Sequence, residues 1–413
     1  MKKNIFFSFS FLLITFFSHY NLVFAGGFVI YNQDAAATGV GGAFTAQADN
    51  PSAVLYNPAA INQLSGTNIS FGNTIVVQSS SFKNLKTNTK TNARSHIYLI
   101  PNFYITHKIN EEFSVGLGSF SYFGLATDWP DNWEGKFIST YSSLKTFFLN
   151  PVISYQVTPK LSFAFGIAPF YSAVRQKKAL GIAPLPFSFG TADLDADGYD
   201  VTYNLALLYH VSNNIKFGFS FRSGVNIEYN GDINFKAPPL LKKFLPKGGV
   251  SLDMNLPALM TTGVSYDITD YCTLEFDLYW QGWSTYDQLK PEYDKPVPSF
   301  LKKSFGPINR NYHNILDYCL GIKFQINPYI VFRSGYFYDH SPVPEKTVDP
   351  VLPDADKNTL AVGLGYENKK YKLDFTYYAV FSKDRKTTNN LDGFNGTYRT
   401  FAHIISSSFI YKF

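Results

Sequence analysis

Long hydrophobic runs are missing from this chain once its first 25 residues are set aside. Every later apolar stretch is cut by Ser, Gly, Asn or a charged residue at every second or third position. That excludes a membrane-spanning helix, which needs about 20 predominantly apolar residues. Charge is sparse too, at 16% of residues, and the net of +5 falls to +3 without Lys2 and Lys3. So weak a balance gives no reason to expect a nucleic-acid partner. Of cysteine there are two residues, Cys272 and Cys319. We place the first at the base of one strand and the second partway up the next, too far apart to bridge at about 3.3 Å per residue. Two free thiols are expected. A Gly-x-Ser-x-Gly nucleophile turn, clustered Cys and His ligands and a phosphate-cradling glycine loop are also missing. Neither enzymatic activity nor a cofactor is expected, and His403 near Ser406–Ser408 is an isolated pairing.

What the chain does have is an export signal and many aromatic side chains. "MKK" gives a positive start, and "NIFFSFSFLLITFF" gives an apolar run too short to span a bilayer. Val23 and Ala25 in "VFA" occupy the small-residue positions of a cleavage site, so residues 1–25 are read as a signal peptide. Phe (40) and Tyr (29) dominate an aromatic content of 18%, while mean hydropathy is near neutral. An exported, aromatic-rich chain with no net hydropathy fits a transmembrane β-barrel, whose lipid and lumen faces cancel in the average.

Alternation supports that reading. In "YRTFAHIISSSFIYKF", Phe401, Ile405, Phe409, Tyr411 and Phe413 share one face, and Thr400, Ser406, Ser408 and Lys412 the other. In "IKFGFSFRSGVNIEY", Ile215, Phe217, Phe219, Phe221, Val225, Ile227 and Tyr229 are expected together, opposite Gly218, Ser220 and Arg222. In "TLEFDLYW", Leu274, Phe276, Leu278 and Trp280 oppose Glu275, Asp277 and Tyr279. The strands run about 10 to 15 residues, against about 5 or 6 in soluble sheets. In lipid every backbone group must be paired, so the sheet has to close. The greasy faces are then exterior, and Arg222, Glu275, Asp277, Arg333 and Asp374 lumenal. Short breaks at 109–112, 157–160, 211–214, 268–271, 327–328 and 368–370 alternate with long ones near 83–94, 124–140, 176–198, 231–252, 285–312, 341–358 and 382–398. Short inner turns and long outer loops are the barrel pattern, and these connections imply about fourteen strands with both ends in the periplasm.

"GVGGAFTAQADNPSAVLYNPAAINQLSG", with Asn57, Pro58 and Ala59 as an Asn-Pro-Ala element, resembles the N-terminal hatch of the FadL family of outer-membrane channels for long-chain fatty acids and related hydrophobic compounds. "FGLATDWPDNWEGKF" and "LNPVISYQVTPKLSFAFGI" resemble that family's third to fifth strands. "LPALMTTGVSY" and "TLEFDLYWQGWSTYDQL" resemble its middle, and "FRSGYFYDHSPVPEKTVDPVLPDADKNTLAVGLGYE" its late region. The matches lie in order over nearly the whole mature chain. The resemblance implies an all-β, monomeric, antiparallel barrel of about 14 strands in the outer membrane, residues 67–413, with residues 26–66 folded inside the lumen as a hatch. The hatch residues are suited to filling a bore. Ala35, Ala36, Ala37, Gly39, Gly41, Gly42 and Ala43 permit close backbone packing, while Pro51 and Pro58 prevent strand pairing.

The resemblance further implies passive, ligand-gated uptake, with capture outside and lateral release into the membrane. Two outer segments are unusually apolar: 179–190 with Leu180, Ile182, Leu185, Phe187 and Phe189, and 235–246 with Leu240, Leu241, Phe244 and Leu245. Exposed loops are normally polar, and an apolar surface patch usually marks binding. These residues are expected to form a capture surface or to close over a small core of their own. Carboxylate-binding candidates are Arg175, Lys177 and Lys178 atop the fifth strand and Arg310 and His313 atop the tenth; the same cations also suit lipopolysaccharide phosphates. Gly124 is the candidate for a kinked third strand that opens sideways, or else marks the start of a plain loop. Phe413 resembles the terminal aromatic read by the outer-membrane assembly machinery. An aromatic-hydrocarbon channel and a plugged general porin or adhesin stay open as alternatives.

Overall fold

The computed structural model describes residues 27–181, 187–246, 248–297 and 302–413. The expected signal peptide and the loop residues Ile182 and Leu185 lie outside them. Fourteen antiparallel strands form the wall: β1 (Thr67–Asn84), β2 (Ile97–Lys108), β3 (Phe113–Phe120), β4 (Tyr141–Thr158), β5 (Leu161–Gly181), β6 (Ser188–His210), β7 (Ile215–Arg222), β8 (Leu259–Thr269), β9 (Cys272–Gln281), β10 (Ile315–Asn327), β11 (Ile330–Asp339), β12 (Lys357–Glu367), β13 (Tyr371–Ser382) and β14 (Gly396–Lys412). Each pairs with its sequence neighbours, and β1 pairs β14 from Asn68↔Lys412 to Asn84↔Gly396, which closes the ring. All six short turns fall where alternation stops.

Side-chain burial follows the period of two. On β5, Phe163, Phe165 and Ile167 are exposed while Ser162, Ala164 and Ala168 are buried. On β14, Ile405 and Phe409 point out, and Ser406 and Ser408 point in. The greasy face is therefore exterior. Cys272 and Cys319 are both free. Cys272 pairs with Phe324 across β9 and β10, five positions from Cys319, or about 17 Å at 3.3 Å per residue.

The extent and the facing of strands need correction; the stretch 231–252, read as a loop, is strand at both ends, within Val225–Lys236 and Gly249–Leu256. The stretch 176–198, read as a loop, is mostly strand: β5 runs on to Gly181 and β6 begins at Ser188. "TADLDADGYD" looks like loop because Asp is depleted in strands. Here Asp193, Asp195 and Asp197 lie on the outer face beyond the Tyr171–Tyr199 pair, whose rings are 4.9 Å apart. That face meets water, while Ala192 and Ala196 stay buried. The second correction concerns Ile227 and Tyr229, expected beside the exterior Phe217. Strand pairing is interrupted at Ser223–Gly224, and the chain resumes as Val225–Lys236, hydrogen-bonded to the outer half of β6 and to Gly249–Leu256. The irregularity shifts the register by one face, so Ile227 and Tyr229 are fully buried inside.

Residues 27–66 fill the lumen and are almost wholly buried. A short helix, Ala35–Gly39, is capped by the Asp34 carboxylate accepting from Ala37 N at 3.0 Å. Asn57 caps the 3₁₀ turn Pro58–Gln63 through Ala59 N, and its Nδ2 donates to Thr45 O at 2.7 Å and to Leu207 O of the wall at 3.1 Å. That triple use accounts for the Asn-Pro-Ala element. Wall carboxylates hold the hatch backbone: Asp277 Oδ2 accepts from Phe44 N and Thr45 N at 3.0 and 2.9 Å, and Glu275 from Ala46 N and Gln47 N at 2.6 and 2.9 Å. Glycine keeps the wall flat where the hatch touches it. A Cβ on Gly335 would lie 2.1 Å from Val40 C, and one on Gly218 would lie 2.3 Å from Thr45 O. Arg333 and Asp374 form a buried pair at 2.5 Å, as their lumenal placement requires.

Candidate functional site

The third wall strand is broken. β3 pairs β2 up to Phe103↔Ser119 and β4 up to Phe120↔Phe148. After Ser121–Phe123 the chain resumes as the strand Gly124–Asp128, which pairs β4 from Gly124↔Lys145 to Asp128↔Tyr141 and no longer pairs β2. Among the described residues, 97–102 of β2 thus have no strand partner on that edge. The hatch covers the inside of the gap: Ile30 N donates to Tyr122 O at 2.9 Å and Gly124 N to Phe28 O at 2.8 Å. At the outer end Asp128 joins Arg94 and His96, each at 2.8 Å. Gly124 is the first residue past the break.

A cavity of about 110 Å³ lies directly behind this segment. Leu125, Leu144 and Phe28 form its side toward the break, and Ile233, Leu252 and Met254 come from the outer extensions of the seventh and eighth strands. The face shift at Ser223–Gly224 is what turns these apolar side chains inward. Tyr286, Leu289, Tyr293, Phe305 and Ile308 roof it from the loop between β9 and β10.

Three of the five candidate cations touch the cavity, and they differ in how far they are already neutralised. Arg310 is buried and paired with Asp349 at 2.7 Å. Burial alone would lower its pKa, but the Asp349 carboxylate more than offsets this and raises it. Arg175 and Lys177 sit on the exterior face of β5 and share Asp193, at 2.8 and 3.4 Å; Arg175 reaches only the cavity rim. Lys178, one residue on, has the opposite facing. Its Nζ donates to Ser304 O, lies 4.8 Å from the Phe305 ring centre, and has no carboxylate within ion-pair distance among the described residues. Burial lowers its pKa to about 8, with the field of Asp392 offsetting part of that. His313 is exposed and does not line the cavity. The grouping of Arg175, Lys177 and Lys178 therefore does not hold: a strand, unlike a loop, sends neighbours to opposite faces.

The apolar candidates divide as well. Leu180 and Leu245 are buried, forming with Ala192, Ile233 and Phe305 a small core under the loops, and Phe189 packs against it. Leu180 is therefore not a surface residue. Phe187 (74% exposed), Leu240 (70%) and Phe244 (48%) face solvent, with Leu241 half-buried. Sequence reasoning missed Leu125, Leu144, Leu252 and Met254, which become lining only through the break and the face shift.

A sealed ring with a greasy exterior, a stoppered bore and an apolar cavity under its outer loops defines an outer-membrane transport barrel. Residues 17–413 match the family described as outer membrane protein transport protein (OMPP1/FadL/TodX), and the chain belongs to that family. It is 24% identical over 373 residues to the long-chain fatty acid transport protein of Escherichia coli O6:H1, covering 81% of this chain and 82% of that one. Its fold resembles that of a Pseudomonas aeruginosa FadL homologue, with a TM-score of 0.83, 18% identity and coverage of 94% and 100%. It also resembles the P. putida toluene transporter TodX, with a TM-score of 0.74, 15% identity and coverage of 93% and 99%. The protein resides in the outer membrane, in a family of transport proteins.

Proposed function

We propose that the protein carries a hydrophobic carboxylate, a long-chain fatty acid, from the cell surface into the bilayer. The carrying observation is Lys178: a cation with no carboxylate within ion-pair distance among the described residues, set in an apolar cavity that abuts the broken strand. A charge-assisted contact there holds the head group, while the apolar lining takes part of the chain. Phe187, Leu240 and Phe244 give the first landing surface, beside Lys242 and Lys243. The break before Gly124 is the lateral exit, opened when residues 28–30 of the hatch leave it. Release sideways keeps the alkyl chain out of periplasmic water.

In the same reading, residues 1–25 are removed on export, 26–66 are the hatch and 67–413 the barrel. Phe413, exposed at the chain end against Tyr411, is read by the assembly machinery, and the outer cations Arg175 and Lys177 meet lipopolysaccharide phosphates. The barrel acts as a monomer, a closed ring having no long free edge, and performs no catalysis. The second reading, an uncharged aromatic hydrocarbon, is favoured by the likeness to TodX, but it leaves the inward Lys178 without a role. Native mass spectrometry of protein purified from its own membrane is expected to show a co-bound fatty acid. A hydrocarbon adduct, or retained lipid that survives in Lys178→Gln unchanged, contradicts the assignment.

A further inference from the structure

Deeper in the lumen, Arg222 is 4% exposed and, unlike the buried Arg310 and Arg333, has no carboxylate partner among the described residues. Its Nη2 donates to Asn150 Oδ1 at 3.0 Å, while Nη1 is buried without any hydrogen bond. Aromatic rings hold the guanidinium instead: Tyr122 at 4.9 Å, Phe120 at 5.5 Å and Phe148 at 5.9 Å. Such contacts stabilise a cation partly, yet an unpaired buried charge remains costly. Beside it lies a second cavity of about 20 Å³, lined by Tyr31, Tyr56, Tyr122, Leu55, Leu259 and Thr261, among others. The protons of Tyr56 and Tyr279 are already donated to the hatch carbonyls Tyr31 O and Gly42 O. Of the residues that line this space, Arg222 is the one that carries a charge.

We infer that this cavity is a second head-group site, which takes one carboxylate as it leaves the Lys178 cavity. The inference rests on the reading that the cargo is a carboxylate. A void of this size holds little more than a water-sized group, so it accepts a head group and excludes the chain. The two cavities are separated by aromatic side chains at the break. Phe28 lines the upper one and lies 6.1 Å from Phe123; Phe123 lies 5.5 Å from Tyr122, which lines the lower. Movement of those rings joins the sites while the chain turns toward the gap in the third strand. A guanidinium suits the role because it meets both carboxylate oxygens at once.

The test compares wild type, Arg222→Gln and Arg222→Lys in vesicles with a lipopolysaccharide outer leaflet, using oleate and toluene as cargo. Arg222→Gln is expected to bind oleate within about twofold of wild type, since capture is at Lys178, but to deliver it at least tenfold more slowly. Toluene flux stays within twofold, and Arg222→Lys recovers a substantial part of oleate delivery. Equal slowing of both cargoes, or undiminished oleate delivery by Arg222→Gln, overturns the inference and leaves the fatty-acid reading standing. A wild type that neither binds nor delivers oleate overturns both, and the wild-type arm alone reveals it.

Discussion

Replacing Lys178 by Gln lowers oleate affinity by about 10- to 100-fold and leaves toluene uptake within about twofold. A hydrogen bond to a charged group is worth about 1.5–3 kcal/mol, and Gln keeps the contact to Ser304 O while losing the charge. The neighbouring Arg175→Gln and Lys177→Gln variants, on the outer face, change affinity by less than about threefold, because exposed pairs are worth about 0–1 kcal/mol. The pH profile separates these cases. With its pKa lowered to about 8 by burial, Lys178 is charged at pH 7 and loses its proton as pH rises through 8. Oleate affinity then falls toward that of Lys178→Gln, whose own profile is flat across the same window. Folding stability moves the other way. Between about 8 and the usual lysine value the unfolded chain holds the proton and the folded one does not, so this group's penalty is relieved as pH rises. Isothermal titration with oleate between pH 6.5 and 9.5 checks the binding limb. A wild-type affinity unchanged over that range removes Lys178 from the head-group site.

The second large effect concerns the stopper. Glu275→Ala with Asp277→Ala strips the acceptors from four consecutive hatch N–H groups, those of Phe44, Thr45, Ala46 and Gln47. Each buried group left unsatisfied costs about 1–3 kcal/mol, so the set costs about 4–12 kcal/mol. The wall ladders do not depend on these side chains, so the strain falls on the hatch. The hatch leaves the wall, amide exchange rises throughout 27–66, and ion conductance in planar bilayers goes from closed to open. Glu275→Gln with Asp277→Asn keeps three of the four acceptors, because Asp277 accepts both of its bonds through one oxygen while Glu275 uses two, and it should leak far less. A closed channel with protected hatch amides in the double Ala variant contradicts the clamp.

The barrel is legible in the sequence because lipid makes its demand at every second residue. Phe217, Phe219 and Phe221 against Gly218, Ser220 and Arg222 leave one arrangement once closure is required. The turns are legible because six short breaks interrupt that period cleanly. Alternation does not report where the period slips. The irregularity at Ser223–Gly224 turns Ile227 and Tyr229 inward, and the only local signal is a Ser-Gly pair inside a strand. Nor does it report where the bilayer ends, so the Asp-rich start of β6 passes for a loop. The candidate site suffers from both. Sequence reasoning finds Lys178 only together with two neighbours that face away from it, and does not find Leu252 and Met254 at all. Gly124 lies one residue beyond the broken segment Ser121–Phe123, since glycine marks permissive backbone more readily than the residues that actually leave the sheet.

The most direct measurement is parallel uptake of oleate and sucrose by the purified barrel in vesicles with a lipopolysaccharide outer leaflet. A lipid-delivering channel with its bore stoppered moves oleate into the bilayer much faster than protein-free vesicles do, and leaves sucrose outside. Sucrose that equilibrates across the membrane while oleate gains nothing from the protein contradicts it.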